Sequence, residues 1–346
     1  DRLVWIGDLH PEVMTVNTVF GYNEVIPKSI DLIRDSTPLP RWMTMCTYSL
    51  WWILIQRDWY LYQGNLDYLK EQKSYLCDLQ LIMTRIGEDG LEKFNDDEGR
   101  FLDWPSCENP LAINAGVQAL VIQAMKAGYE LCSVLGEDML ATKCEAVRRK
   151  MVNAAPKIIK PFLKSGMAPD APGQKQAASL LALTGLISPK EANQKYLSVN
   201  GGHGFSTFYG YYMLQAMAAA GNYQGAIDVI RQYWGAMIDL GATTFWEDFN
   251  LDWLPDASRI DELVATGKKD IHRDYGDHCY KGFRHSLCHG WSSGPTSWLS
   301  EHVLGVQVVE PGCRVVRITP HLGDLEWVEG TFPTPYGQIV IRHEKG

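Results

Sequence analysis

Over most of the chain, apolar residues fall at helical spacing. From Ala112 to Leu135, Val117, Leu120, Val121, Met125, Gly128, Leu131, Cys132 and Leu135 recur at i, i+3 and i+4, one face of a long helix. Arg41 to Gln63 is apolar nearly all round, with Trp51, Trp52, Ile53, Leu54 and Ile55 in succession. Such a helix is buried on most sides. Gly64-Asn65 makes a turn into a second helix, Leu66 to Ile86. Gly136 separates the 112–135 helix from one that runs to about Ala155, and Gly221-Asn222 separates Phe205–Ala220 from Tyr223–Leu240. Pro11 with Glu12 marks a helix start, and Ser188-Pro189-Lys190-Glu191 reads as a capping box. Helix, short Gly turn, helix is thus a recurring unit. Such hairpins either stack as an open solenoid or close into an α/α toroid. The long aromatic-rich loops Glu88–Pro110 and Thr243–Asp277 favour closure, because loops of that length in a compact domain are usually functional.

After Gly305 the period changes to two. Val306 and Val308, Arg314 to Ile318, Leu325 to Thr331 and Gln338 to Arg342 alternate between Pro and Gly turns, predicting a small β unit. Residues 1–304 are therefore expected to form a helical domain and 305–346 a β-strand segment belonging to a β-sandwich. The chain opens abruptly on Asp1-Arg2, as expected of a piece of a longer protein.

Composition narrows the function. A net charge of −9 over 346 residues argues against a nucleic-acid surface, which needs a basic stripe. No apolar run reaches the ~20 residues of a membrane-spanning helix. Eight cysteines lie far apart with no CxxC pair, which suits buried thiols used as small apolar residues better than metal ligands. No metal or cofactor is called for. The 12 Trp and 16 Tyr are a surplus that a carbohydrate cleft would use.

The candidate chemistry lies in acids set beside aromatics. Gly241-Ala242-Thr243-Thr244-Phe245-Trp246-Glu247-Asp248-Phe249 puts carboxylates at a helix exit between Trp246 and Phe249. Partial desolvation there raises a carboxyl pKa and suits it to proton transfer. Asp1-Arg2-Leu3-Val4-Trp5-Ile6-Gly7-Asp8, followed by Glu12, is a second acidic–aromatic cluster, and Gly7 allows a bend that would turn Asp8 inward. Asp103-Trp104 and His289-Gly290-Trp291 share the pattern. Glycoside hydrolysis needs two carboxyls flanking one bond, one protonated and one ionised, and distant hairpin loops can bring such a pair together.

These segments resemble one family. Asp1 to Asp8 is similar to the Glu-Arg-Leu-Gly-Trp-x-Gly-Asp motif of the bacterial α-L-rhamnosidases of glycoside hydrolase family 78. Gly241 to Glu247 resembles that family's Gly-Ala-Thr-Thr-x-Trp-Glu. Arg317-Ile318-Thr319-Pro320 and Leu325 to Gly330 resemble the start of its C-terminal β domain. The resemblance implies an (α/α)6 toroid releasing terminal α-L-rhamnose with inversion, in an exported protein with accessory β domains. It also implies Asp1 as general acid and Glu247 as the base that activates water. Trp5, Asp8 and Asp103 would contact the sugar, with Trp104, Trp246, His289 and Trp291 lining the subsite. The two carboxyls would stand roughly 6.5–9.5 Å apart. Asp replaces the motif's Glu at position 1, shortening the reach by about 1.5 Å. Glu12 is the alternative proton donor. Other readings are a six-hairpin glycosidase for a different sugar, a polysaccharide lyase or a catalytically silent carbohydrate-binding module.

Overall fold

The computed structural model, which describes residues 3–37 and 45–346, is mainly helical. Helix α1 (Ile6–Val19) begins ahead of Pro11, which lies inside it rather than at its start. An interior Pro costs about 3 kcal/mol. Burial of Ile6, Leu9, Val13 and Met14 on this helix offsets that cost. Gly7 is therefore helical and makes no bend. It serves close packing instead, since a Cβ there would sit 2.4 Å from the Tyr48 ring.

Helix α2 (Val25–Ser36) packs outside α1, and α3 (Cys46–Gln63) is the all-round apolar helix, ended by Gly64 at φ 67°. The single helix expected over 66–86 is three short ones, α4 (Leu66–Glu71), α5 (Lys73–Cys77) and α6 (Leu79–Met83). The first break lies at Gln72, which is fully buried. Its side chain donates to Asp31 Oδ1 (2.9 Å) and accepts from Arg34 Nη1 (3.0 Å), so a tertiary polar anchor overrides the local helical pattern.

Helices α7 (Pro110–Val134) and α8 (Asp138–Ala154) form the hairpin expected at Gly136. Helices α9 (Pro156–Leu163), α10 (Gln174–Leu183) and α11 (Pro189–Ala192) follow. Ser188 makes no side-chain cap bond, so the capping box does not form and Pro189 alone marks the helix start. Helices α12 (Gly210–Ala219) and α13 (Tyr223–Asp239) turn at Gly221, φ 78°. The short helices α14 (Ile271–Asp274) and α15 (Gly294–Trp298) complete the set.

Packing closes a ring. Helix α1 lies on α3, α3 on α7, α7 on α10, α10 on α12, α12 on α15, and α15 returns to α1. These inner helices are apolar on nearly every side, as burial between two neighbours and an outer layer demands. Helices α2, α4, α8, α11 and α13 each pack on an inner partner. This is the α/α toroid. At its centre His10 Nε2 lies 2.8 Å from Asp58 Oδ2, Arg57 Nη2 lies 2.6 Å from Asp58 Oδ1, and Tyr212 Oη lies 2.9 Å from His10 Nδ1. The network ties α1, α3 and α12. Breaking such a buried pair by deleting one partner costs about 3–5 kcal/mol.

The C-terminal unit is two separate antiparallel pairs, β1 (Val306–Glu310) with β2 (Val315–Ile318) and β3 (Trp327–Thr334) with β4 (Gly337–Glu344). It seats on the end of the ring where α3 exits, with Phe332 against Tyr62. There Gly64 meets Gly312 backbone to backbone. A Cβ at Gly64 would lie 2.6 Å from Gly312 Cα, on a residue already at φ 67°. Gly64→Ala is expected to destabilise the protein by about 1–3 kcal/mol, read as a lower urea midpoint at unchanged slope. An unmoved midpoint would show that this junction opens freely.

Candidate active site

Three segments converge on one mouth of the ring. Helix α1 contributes Asp8, the loop after α13 contributes Glu247, and the segment leading into α15 contributes His289 and Trp291. The last two are laced together in extended conformation. Glu247 N–H donates to Ser286 O (2.9 Å), Ser286 N–H returns to Glu247 Oε2 (2.8 Å), and His289 N–H donates to Phe245 O (2.7 Å). Trp291 Nε1 and Thr207 Oγ1 both donate to the Glu247 carbonyl, at 2.9 and 2.6 Å. The Glu247 backbone is thus fixed from three sides, and Oε1 faces His289.

That cavity has a volume of ≈ 820 Å³, walled by Trp5, Tyr48, Phe101, Trp104, Tyr280 and Trp291, with Asp8 and Glu247 on its lining. Aromatic walls and a few placed polar groups describe a small-molecule site. His289 Nε2 lies 3.5 Å from Glu247 Oε1 and 3.7 Å from Asp8 Oδ2. Burial pushes the His289 pKa down to about 3, so the ring is neutral at pH 7. Its Nδ1 accepts from Trp291 N–H at 3.4 Å, which places the proton on Nε2, between the two carboxyls.

Electrostatics make this mouth a store of protons. Burial pushes Asp8 up to about 8, with Glu12 one helical turn away adding like-charge repulsion and the Tyr48 hydrogen bond opposing it. Tyr48 Oη donates to Asp8 Oδ1 at 2.8 Å, an approach that the missing side chain of Gly7 permits. Burial raises Glu12 to about 7 and Asp248 to about 6, and lifts Glu247 above the usual carboxyl value. A site holding both protonated and ionised carboxyls at pH 7 can give and take protons in one turnover.

Asp1 lies outside the described residues. Trp5, Asp8, Trp104, Glu247 and Trp291 share the main cavity, and His289 meets Asp8 and Glu247 from behind them. Three expected site residues lie elsewhere. Trp246 is 0% exposed and packs on Phe249 in the core, while its neighbour Glu247 reaches the cavity lining. Asp103 is buried with both oxygens committed, Oδ1 to Ser106 N–H (3.1 Å) and Ser106 Oγ (2.5 Å), Oδ2 to Ser206 Oγ (2.5 Å). It clamps two loops beneath Trp104 rather than meeting the main cavity. Glu12 opens into a separate cleft of ≈ 370 Å³ on the far side of Trp5 and Asp8. Tyr48 and Tyr280 were missed. A phenol inside an otherwise apolar helix was the available signal for Tyr48, since a buried Tyr hydroxyl needs a partner.

A closed ring of helical hairpins with acids and aromatic walls at one mouth is the arrangement of a six-hairpin glycosidase domain. The chain belongs to the bacterial α-L-rhamnosidases: residues 1–303 match their 6 hairpin glycosidase domain and residues 305–346 their C-terminal domain. Among solved structures, a family 78 rhamnosidase of Bacillus sp. GL1 superposes with a TM-score of 0.74 at 22% identity, covering 99% of this chain and 36% of that one. An α-L-rhamnosidase of Aspergillus terreus gives 0.74 at 16% identity, covering 99% and 41%. One of Streptomyces avermitilis, solved with L-rhamnose, gives 0.74 at 17% identity, covering 100% and 33%. The chain thus spans between a third and two fifths of these proteins' length. No curated protein matches it.

The Asp8 environment has a measurable consequence for stability. In the folded chain Asp8 keeps its proton up to about pH 8, against an ordinary value of 3.8. The native state therefore binds more protons between those values. This contribution to stability is complete below the unfolded pKa and is lost as pH rises through the folded one. Asp8→Asn is expected to gain stability relative to wild type steadily from about pH 4 to about pH 8, read from urea midpoints. Parallel pH profiles would show that Asp8 ionises normally.

Proposed function

We propose that this chain is the catalytic domain of an exo-acting α-L-rhamnosidase that cleaves terminal α-L-rhamnose with inversion. The observation that carries the reading is Glu247: its backbone is pinned from three sides, Oε2 accepts from a backbone N–H, and Oε1 faces a neutral imidazole at 3.5 Å. A carboxylate so held is preorganised to take a proton from a water, the role of a general base. Asp8, protonated to about pH 8, is a hydrogen-bond donor to a sugar hydroxyl. Trp5 and Trp104, part-exposed on the cavity lining, offer ring faces to the apolar side of the pyranose. Asp1 would supply the proton to the leaving oxygen, in keeping with its position in the first motif.

In this scheme a water between Glu247 and the anomeric carbon loses its proton to Glu247 as its oxygen bonds to that carbon. The glycosidic C–O bond breaks on the opposite face, and the leaving oxygen takes the proton from the acid. The oxygen enters opposite the one that leaves, so configuration inverts.

The test is hydrolysis of an aryl α-L-rhamnoside by the full-length protein, with the first-formed anomer followed by NMR. Wild type is expected to release β-L-rhamnose first, and Glu247→Gln to lose at least about 100-fold in kcat with its fold intact. Asp1→Asn is expected to lose a comparable factor on substrates with poor leaving groups. Initial α-L-rhamnose would overturn inversion. Rhamnose binding without turnover in the wild type would replace the enzyme reading with that of a carbohydrate-binding module.

A further inference from the structure

Besides Asp8 and Glu247, the main cavity is lined by Phe283 and Arg284, which belong to the turn Gly282–Arg284. Phe283 is 70% exposed, a large aromatic ring open to solvent at the cavity's edge. Its ring meets His272 edge-on with centroids 5.2 Å apart, and His272 also lines the cavity. Arg284 is exposed as well.

Among the described residues Arg284 forms no ion pair, hydrogen bond or ring contact. Its neighbours in sequence behave differently. Arg273 is paired with Asp274 at 2.8 Å and Arg259 with Asp261 at 2.7 Å, like most other arginines of the chain. Arg284 is near enough to Glu247 to favour that group's charged form, yet it does not reach it. A guanidinium with five donors and no acceptor among the described residues, beside an open aromatic face, is arranged to take a planar anion joined to a ring.

We propose that the cavity mouth is a leaving-group subsite for an acidic sugar: Phe283 stacks on a pyranose face while Arg284 binds the carboxylate of a hexuronate to which the rhamnose is linked. This rests on the rhamnosidase reading above and adds the chemical class of the aglycone. The geometry assigns the two ends of the cavity different tasks. The buried acids and Trp5 hold the neutral deoxysugar, and the exposed cation selects what it is attached to.

The experiment uses two matched disaccharides, an α-L-rhamnosyl hexuronate and its carboxyl-reduced, neutral counterpart, beside an aryl α-L-rhamnoside as control. The full-length protein is expected to show a kcat/KM for the uronide about ten-fold above that for the reduced sugar, the worth of one charged hydrogen-bonded contact. Arg284→Met should bring the two disaccharides to within about two-fold of each other, through KM, and any effect transmitted through Glu247 falls on both alike and cancels in that ratio. Raising ionic strength from about 0.1 to about 1 M, where the Debye length falls from about 10 to about 3 Å, should shrink the preference in wild type only. Equal kcat/KM for the two disaccharides, or a preference that survives in Arg284→Met, overturns the proposal while leaving rhamnosidase activity intact. If no rhamnoside is cleaved, the hydrolase reading falls, and calorimetric binding of the same pair then decides the subsite. Tighter binding of the uronide that Arg284→Met abolishes sustains it, and equal binding overturns it.

Discussion

The active site exists because the ring closes. Helix α1 packs at the same time on α3, the next inner helix, and on α15, the last one, which lies most of the chain away from it in sequence. Thr15 Oγ1 seals the closure, 3.1 Å from the carbonyl of Ser293 and 2.9 Å from its hydroxyl, and Gly290 leaves room for Glu12. Joining ends so distant carries a loop-closure cost, but that cost grows only with the logarithm of the loop length. The apolar surface buried by six inner helices outweighs it. Asp8 rides on α1, and His289 rides on the segment that α1 meets. Closure of the fold and assembly of the site are one event.

Proton chemistry follows from the same packing. Asp8, Glu12, Glu247 and Asp248 are all raised, and in each burial is the leading cause. Around Asp8 and Glu247 the wall that excludes water is aromatic, and it includes Trp5, Tyr48 and Trp291 of the main cavity. Desolvation and cavity shape therefore come from one set of side chains. The neutral His289 fits this picture: an imidazolium there would draw the carboxylates into ion pairs, whereas a neutral ring leaves them without a cationic partner.

Two tryptophans in like sequence settings divide along the same line. Trp246 and Trp291 each neighbour a polar site residue. One is sealed in the core and the other stacks on Phe208 with its Nε1 holding the Glu247 carbonyl. Both hold Glu247 in place, the first as packing beneath its loop and the second as a hydrogen bond to its backbone. Asp103 belongs with them. It resembles a site acid in sequence, yet its two serine hydroxyl partners make it a loop clamp.

Much of the architecture was legible in the sequence, because period is a local property. The Gly turns at 64, 136 and 221, the all-round apolar helix before Gly64 and the switch to period two after Gly305 each need only neighbouring residues to be read. Glu247 and Asp8 were legible because an acid flanked by aromatics and glycine makes a local motif. The positions that misled depend on partners far along the chain. Gln72 broke a helix because Asp31 and Arg34 reach it across a tertiary gap, and Pro11 was absorbed into α1 because core burial outweighs a lost hydrogen bond. Tyr48 became a site residue only when packing of α3 on α1 set it against Gly7 and Asp8. Local patterning determined which elements form and which acids are candidates. Only the closed ring, by deciding which faces lose water, determined which acids hold protons and which aromatics meet the cavity.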